Sequence, residues 1–235
     1  MKGKGILLAS MALGALALGA LPAQAALTIV STNGGAPSAG ITRINFDDPL
    51  PAGVKNLSLT PDAAIVTGSL GGVYAAPFLS GNNGLGFGAG GTDQPNGQDG
   101  TKYVTTGSTG AVAGAKVTLN FTVAQKYLGL LWGSVDNYNT MEFFFGGSSV
   151  GTIVGTQVWG AANGDQGAAG TFYVNINSDT AFDRVVFSSS QYAFEFDNVA
   201  FGEREINVVP IPAAAWLLAS GLLGLFGLAR RRSVA

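Results

Sequence analysis

Hard oxygen ligands are the most concentrated chemistry this sequence offers. Asp47 and Asp48 follow an apolar run that ends at Phe46, and Glu195, Asp197 and Asn198 sit in the stretch Phe194-Glu-Phe-Asp-Asn-Val-Ala-Phe201. Ca²⁺ takes roughly six to eight oxygens from carboxylates, amides and carbonyls. Asp47, Asp48, Asp197 and Asn198 are therefore candidate ligands of a structural calcium, the one cofactor suggested. The same residues also suit solvated edge and turn positions, because no contiguous ligand loop joins them. The stretch Asp93-Gln-Pro-Asn-Gly-Gln-Asp99 is a weaker candidate, since its spacing departs from the EF-hand pattern.

Flat rings are the second resource. Tyr138 and Trp159 are candidate stacking platforms for pyranose faces, with Asn and Asp nearby to meet hydroxyls; Trp132, Tyr173 and Tyr192 belong to the same inventory. Aromatic residues of a β-protein also fill cores, and Trp132, inside Leu-Leu-Trp-Gly, reads as core. Other chemistry is excluded. With no Cys and no His, the chain has no disulfide, zinc–thiolate site, Cys nucleophile or His-based triad. A glycosidase needs only two carboxylates at a fixed separation, but scattered acids single out no pair. Ser188-Ser-Ser190 lacks a base, and no strand-to-helix switch follows Gly84-Leu-Gly-Phe-Gly88 to cradle a phosphate. The expectation is a non-enzyme.

These residues need elements to hold them. In Val117-Thr-Leu-Asn-Phe-Thr-Val123 the apolar residues alternate strictly with polar ones, the period of a half-buried strand. Less regular runs at 41–46, 63–67, 127–135, 141–145, 150–158, 171–177, 182–188 and 192–201 extend the series. Residues 80–100 and 160–170 read as loops, and 130–145 as a hairpin turning at Asp136-Asn-Tyr-Asn139. About ten strands, 36 glycines and no convincing amphipathic helix predict an all-β fold, an antiparallel β-sandwich. An acidic residue near the first strand with an Asp in the last is similar to the calcium pattern of carbohydrate-binding jelly rolls, which makes jelly-roll-like the expected type.

The two ends carry addresses. Lys2 and Lys4 precede an apolar run and then Pro22-Ala23-Gln24-Ala25, the order of a secretory signal with small residues Ala23 and Ala25 at the cleavage site; residues 1–25 are expected to be removed. Residues 213–229 hold no charge and precede Arg230, Arg231 and Arg232. As a helix they reach about 25 Å, enough to span a bilayer, and the arginines would stay cytoplasmic with the globular part outside. All 14 acidic residues lie in 26–209 against seven of the 12 basic ones, a net charge near −7 that argues against nucleic acid as partner.

Val209, Pro210, Ile211 and Pro212, the apolar span and the arginines together resemble the C-terminal sorting signal of PEP-CTERM proteins, in which a Pro-Glu-Pro motif precedes the span. Here Val-Pro-Ile-Pro stands in that place. The two prolines remove backbone donors and keep the motif extended and open to a protease. The 130–145 segment also resembles the mid-domain region of exosortase-dependent surface proteins. The resemblance implies recognition by a membrane exosortase, export across the inner membrane of a Gram-negative-type bacterium, and anchoring before display or release. Expected partners are thus the exosortase, the inner membrane before processing, and extracellular polysaccharide. The expected organisation is signal peptide 1–25, β domain 26–206, linker with sorting motif 207–212, transmembrane helix 213–229 and basic tail 230–235. The implied role is structural or adhesive in a biofilm or exopolysaccharide matrix; a carbohydrate-binding module is the alternative and a glycoside hydrolase the third reading.

Overall fold

A computed structural model of the chain describes residues 26–37, 39–107 and 114–207. The signal segment with Ala23 and Ala25, the motif Val209, Pro210, Ile211 and Pro212, the span 213–229 and the arginines Arg230, Arg231 and Arg232 lie outside the described residues. Among the described residues no helix is long and apolar enough to cross a membrane.

The described chain is all-β and its pairings are antiparallel. The strands are β1 (Leu27–Thr32), β2 (Thr42–Ile44), β3 (Val54–Leu59), β4 (Ala63–Val66), β5 (Phe78–Leu79), β6 (Gly97–Gln98), β7 (Tyr103–Thr106), β8 (Lys116–Gly133), β9 (Asn139–Phe145), β10 (Ser148–Val154), β11 (Phe172–Ser189) and β12 (Phe194–Gly202). The α-helix Gly155–Val158 is a single turn. It takes up the end of the run at 150–158, which the sequence suggests is all strand.

Two strands of 18 residues organise the rest. Each joins runs that look separate in sequence, because register breaks near Gln125 and Phe182 bend the strand without ending it. The first half of β8 pairs with β3 and with the second half of β11; its second half pairs with the first half of β11 and with β12. Two blocks result. One runs β10-β9-β11-β8-β3 and the other β1-β11-β8-β12, with β7 and β2 sharing the far edge of β12 and β4 outside β7. Rings meet between the blocks. Phe187 of β11 stacks on Phe196 of β12 at 4.2 Å, and Phe121 lies 5.1 Å from Phe201. Val117, Leu119 and Phe121 are buried in this core as their alternation predicts, but Val123, within the bend, is 47% exposed.

The hairpin expected over 130–145 is not formed. β9 pairs with β10 and with the second half of β11, which lies between β9 and β8. The turn at Asp136 is present, closed by the Asn139 amide on the Asp136 carbonyl at 3.3 Å. It carries the chain from one block to the other rather than back along the same strand.

Candidate functional site

β12 builds the site. Phe194 and Phe196 point into the core, so Glu195 and Asp197 point to the opposite face, opposite Gly133 and Leu131 of β8. Between Asp197 and Ala200 the strand carries one residue more than β8, with Asn198 at φ +51°. This bulge turns Asn198 to the same side as Asp197 and returns Val199 and Phe201 to the core. It falls at a seam: the free edge of β12 bonds to β7 along Phe194–Phe196 and to β2 along Val199–Phe201, with Asp197 and Asn198 between.

An outward face would normally be wet, but residues 68–100 fold over this one. Leu79 and Phe87 from that segment make a second apolar cluster with Leu131 and Tyr173. Gly133 has no side chain because Pro77 sits on it: an added Cβ would be 3.0 Å from the Pro77 Cα. Glu195, Asp197 and Asn198 are consequently 2%, 0% and 0% exposed. Burying a carboxylate is costly unless it is paired, and the two sites under this cover meet that cost differently.

Under the middle of the cover lies an acidic nest. Neither carboxylate oxygen of Asp197 meets a side-chain N–H or hydroxyl donor, but its carboxyl lies within hydrogen-bonding reach of the Asp99 carboxyl and of the Asn198 backbone amide. Asp99, buried in the covering segment, accepts the Thr101 amide (2.9 Å) and hydroxyl (2.6 Å) on Oδ1, while its Oδ2 meets no such donor. Asp47 reaches in from the end of β2, where Phe46 is forced to φ +56°. Its Oδ1 accepts the Lys102 amide at 3.2 Å and its buried Oδ2 is unpartnered, as is Oδ1 of Asn198, whose amide donates to the Asn83 carbonyl at 3.3 Å. Burial pushes the Asp197 carboxyl well above the usual range, and the charges of Asp99 and Asp47 push the same way. Among the described residues no three His, Cys, Asp or Glu side chains stand in a ready-made ligand set.

At the other end Glu195 opens on a cleft of about 220 Å³ lined by Tyr74, Ser134, Asp136, Tyr138 and Tyr192, with the amides of Asn163 and Gln166 at its rim. Glu195 is fully engaged: Oε2 accepts the Ser134 hydroxyl at 2.5 Å and Oε1 the Ala75 amide at 3.0 Å. Burial raises its carboxyl to about 7 against those hydrogen bonds. Asp136 Oδ2 lies 2.6 Å from the Tyr138 hydroxyl. None of the residues lining the cleft is basic. Such a cavity can exchange hydrogen bonds with a neutral or cationic polar ligand, and it repels anions.

Of the residues singled out in sequence, the structure brings Asp47, Asp197 and Asn198 to one place and leaves Asp48 outside it. Asp48 is exposed and is held by the Asn45 side-chain amide (2.7 Å) and the Gly90 amide (2.9 Å). Tyr138 lines the cleft, but Trp159 does not; it packs half-buried on Phe172 with ring centroids 5.7 Å apart. Trp132 and Tyr173 are fully buried. Ser134 was missed as a site residue, and Asp99 was weighed only within the separate stretch 93–99, because only the fold of residues 68–100 over β12 sets Asp99 beside Asp197. The sequence signal for both is weak, an Asp followed two residues later by Thr in one case and a Ser beside a turn in the other. No protein-family model matches the chain, and no curated protein matches it in sequence.

Proposed function

We propose that this chain is an exported, non-enzymatic envelope or extracellular-matrix protein, sorted by an exosortase and serving a structural or adhesive role in exopolysaccharide. Its domain is read as a β-sandwich of jelly-roll type, the two pairing blocks being its layers. The export and sorting part of this reading is supported by the sequence of the two ends.

The adhesive part is supported by one observation, the uncharged-ligand chemistry of the cleft. Sugar hydroxyls both donate and accept, and Asp136, Asn163 and Gln166 offer both kinds of partner beside the rings of Tyr74, Tyr138 and Tyr192. The absence of any basic residue in the lining favours neutral or amino sugars over uronic acids. This also favours the alternative of a dedicated carbohydrate-binding module, whose contact would be this same cleft and not Trp159. Cleavage is disfavoured: both oxygens of Glu195 are occupied by protein donors and the side chain is buried, an arrangement that suits a structural group better than one that passes a proton to a ligand.

Mass spectrometry of the mature protein from its native host tests the sorting, with an N-terminus at Ala26 and a C-terminus near Val209–Pro212 expected. Intact full-length chain in the cytosol overturns it. Affinity electrophoresis of the protein in gels cast with a neutral or an acidic polysaccharide tests the cleft. Retardation by the neutral polymer that is lost in Tyr192→Ala is expected, and equal mobility in every gel rules out a glycan contact.

A further inference from the structure

Six of the ten buried side-chain nitrogen and oxygen atoms that lack a partner among the described residues fall in the acidic nest: Oδ2 of Asp47, Oδ2 of Asp99, both oxygens of Asp197, Oδ1 of Asn198 and Nδ2 of Asn83. Orphaned buried polar atoms are rare in folded proteins, and each is destabilising, the more so when charged. So many in one place, on three side chains with no exposure at all, is a demand for a partner that the protein itself meets only by the contact between the Asp99 and Asp197 carboxyls.

The kind of partner follows from the atoms. Five of the six are oxygens, four of them from carboxylates. Asn83 Oδ1 accepts the Ser80 amide at 2.8 Å, so its free atom is a donor and takes no part in holding a cation. Three carboxylates and one amide oxygen call for a hard, positively charged ion, and no Lys or Arg among the described residues is hydrogen-bonded or paired to them through its side chain. Five protein oxygens, with water or a carbonyl completing the shell, match the high and flexible coordination of Ca²⁺ better than the strict octahedron of Mg²⁺, which retains most of its water.

We infer that Asp47, Asp99, Asp197 and Asn198 form a calcium site, and that the ion clamps residues 68–100 and the end of β2 onto the bulge of β12. The ligands come from three separated segments, and since no three carboxylates among the described residues stand as a ready-made set, these short side chains must rotate to bring their oxygens onto one ion. Asp48 is no part of it. The geometry explains two local costs: Phe46 at φ +56° turns Asp47 inward, and the bulge at Asn198 doubles the ligands that β12 presents. The inference stands apart from the glycan reading, since the nest and the cleft share no residue.

The test is isothermal titration of the chelator-treated full chain with calcium chloride, paired with thermal melts in calcium and in EDTA. One equivalent of calcium binds, the melting temperature rises by about 5 °C or more in millimolar calcium, and magnesium at the same concentration does much less. Asp99→Asn and Asp197→Asn each lose most of the affinity, whereas Asp48→Asn keeps it. If Asp197→Asn does not fold, the wild-type titration and Asp99→Asn still decide. A wild-type chain that neither binds calcium nor melts differently in EDTA overturns the site, as does binding that survives Asp99→Asn or is abolished by Asp48→Asn.

Discussion

The phenolic oxygen of Tyr138 lies 2.6 Å from Oδ2 of Asp136 and 2.5 Å from the carbonyl oxygen of Tyr192. A phenol has one proton to give, so an ionised Asp136 leaves one of these acceptors unserved. Burial pushes the Asp136 carboxyl upward from 3.8, with the Tyr138 hydroxyl opposing. Once protonated, Asp136 donates to Tyr138 and Tyr138 donates to Tyr192, and every atom is satisfied. A carboxyl whose value is raised on folding stabilises the native state fully below its unfolded value. That contribution is lost as pH rises through the folded one. Glu195, raised from 4.5 to about 7, acts in the same direction across that interval. The melting temperature of the wild type should therefore fall more steeply as pH rises above about 3.8 than that of Asp136→Asn, whose amide donates to Tyr138 at every pH. Parallel curves for the two proteins would refute the shared-proton arrangement.

Gly129 is fixed by its neighbours, not by its backbone angles. A Cβ there would overlap the Tyr127 hydroxyl and come within 2.9 Å of the Tyr173 hydroxyl. Neither phenol can retreat, since Tyr127 donates to Asn175 Oδ1 at 2.8 Å and Tyr173 to the Asn198 carbonyl at 3.0 Å. Gly129→Ala should cost about 1–3 kcal/mol by overpacking. Tyr127→Phe removes the atom that is struck, so the double variant should be less destabilised than the two single costs added together. Urea unfolding of the four proteins measures the coupling, and strict additivity would mean that the clash is relieved elsewhere.

The sequence made strands legible where one face is buried and the other wet. Residues 117–123 show this best, and the long strand that contains them is buried at alternate positions there. The signal failed where both faces are covered or both exposed: Tyr103–Thr106 is buried at every position, and Val54–Leu59 at none. Neither pattern has a period of two to find. The Asp136 turn was visible, but which strand follows it to its side is a matter of topology that turn residues do not encode. In the same way Asp197 and Asn198 stood out as oxygen donors in an apolar strand, whereas Asp99 was legible only as part of its own loop and not as their neighbour, because a long loop crossing over a sheet leaves no local spacing to read.

Phe187 joins the two pairing blocks. Its ring stacks on Phe196 at 21° and meets Phe194 edge-on at 5.9 Å, and it is fully buried. Phe187→Ala should cost about 3–5 kcal/mol, the transfer of the ring plus the cavity left between blocks that cannot collapse. Phe145, at the end of β9 and 48% exposed, is the control, and Phe145→Ala should change stability by about 0.5 kcal/mol or less. Equilibrium unfolding in urea separates them, and similar costs at the two positions would show that the blocks do not depend on this contact.

Asn198 has two jobs that substitution can separate. Its φ of +51° is a conformation that Asn and Gly tolerate and β-branched residues resist, at about 1–3 kcal/mol. Its side chain supplies the amide that reaches the Asn83 carbonyl and a buried oxygen without a hydrogen-bond donor. Asn198→Val should lower the melting temperature in EDTA by several degrees, because relaxing φ to a negative value would straighten the bulge and turn Val199 and Phe201 out of the core. Asn198→Gly keeps the bulge and should melt close to the wild type in EDTA, yet gain less from calcium because one ligand oxygen is gone. If Gly and Val lower the melt in EDTA equally, the side chain rather than the backbone angle is what holds this corner of β12 in place.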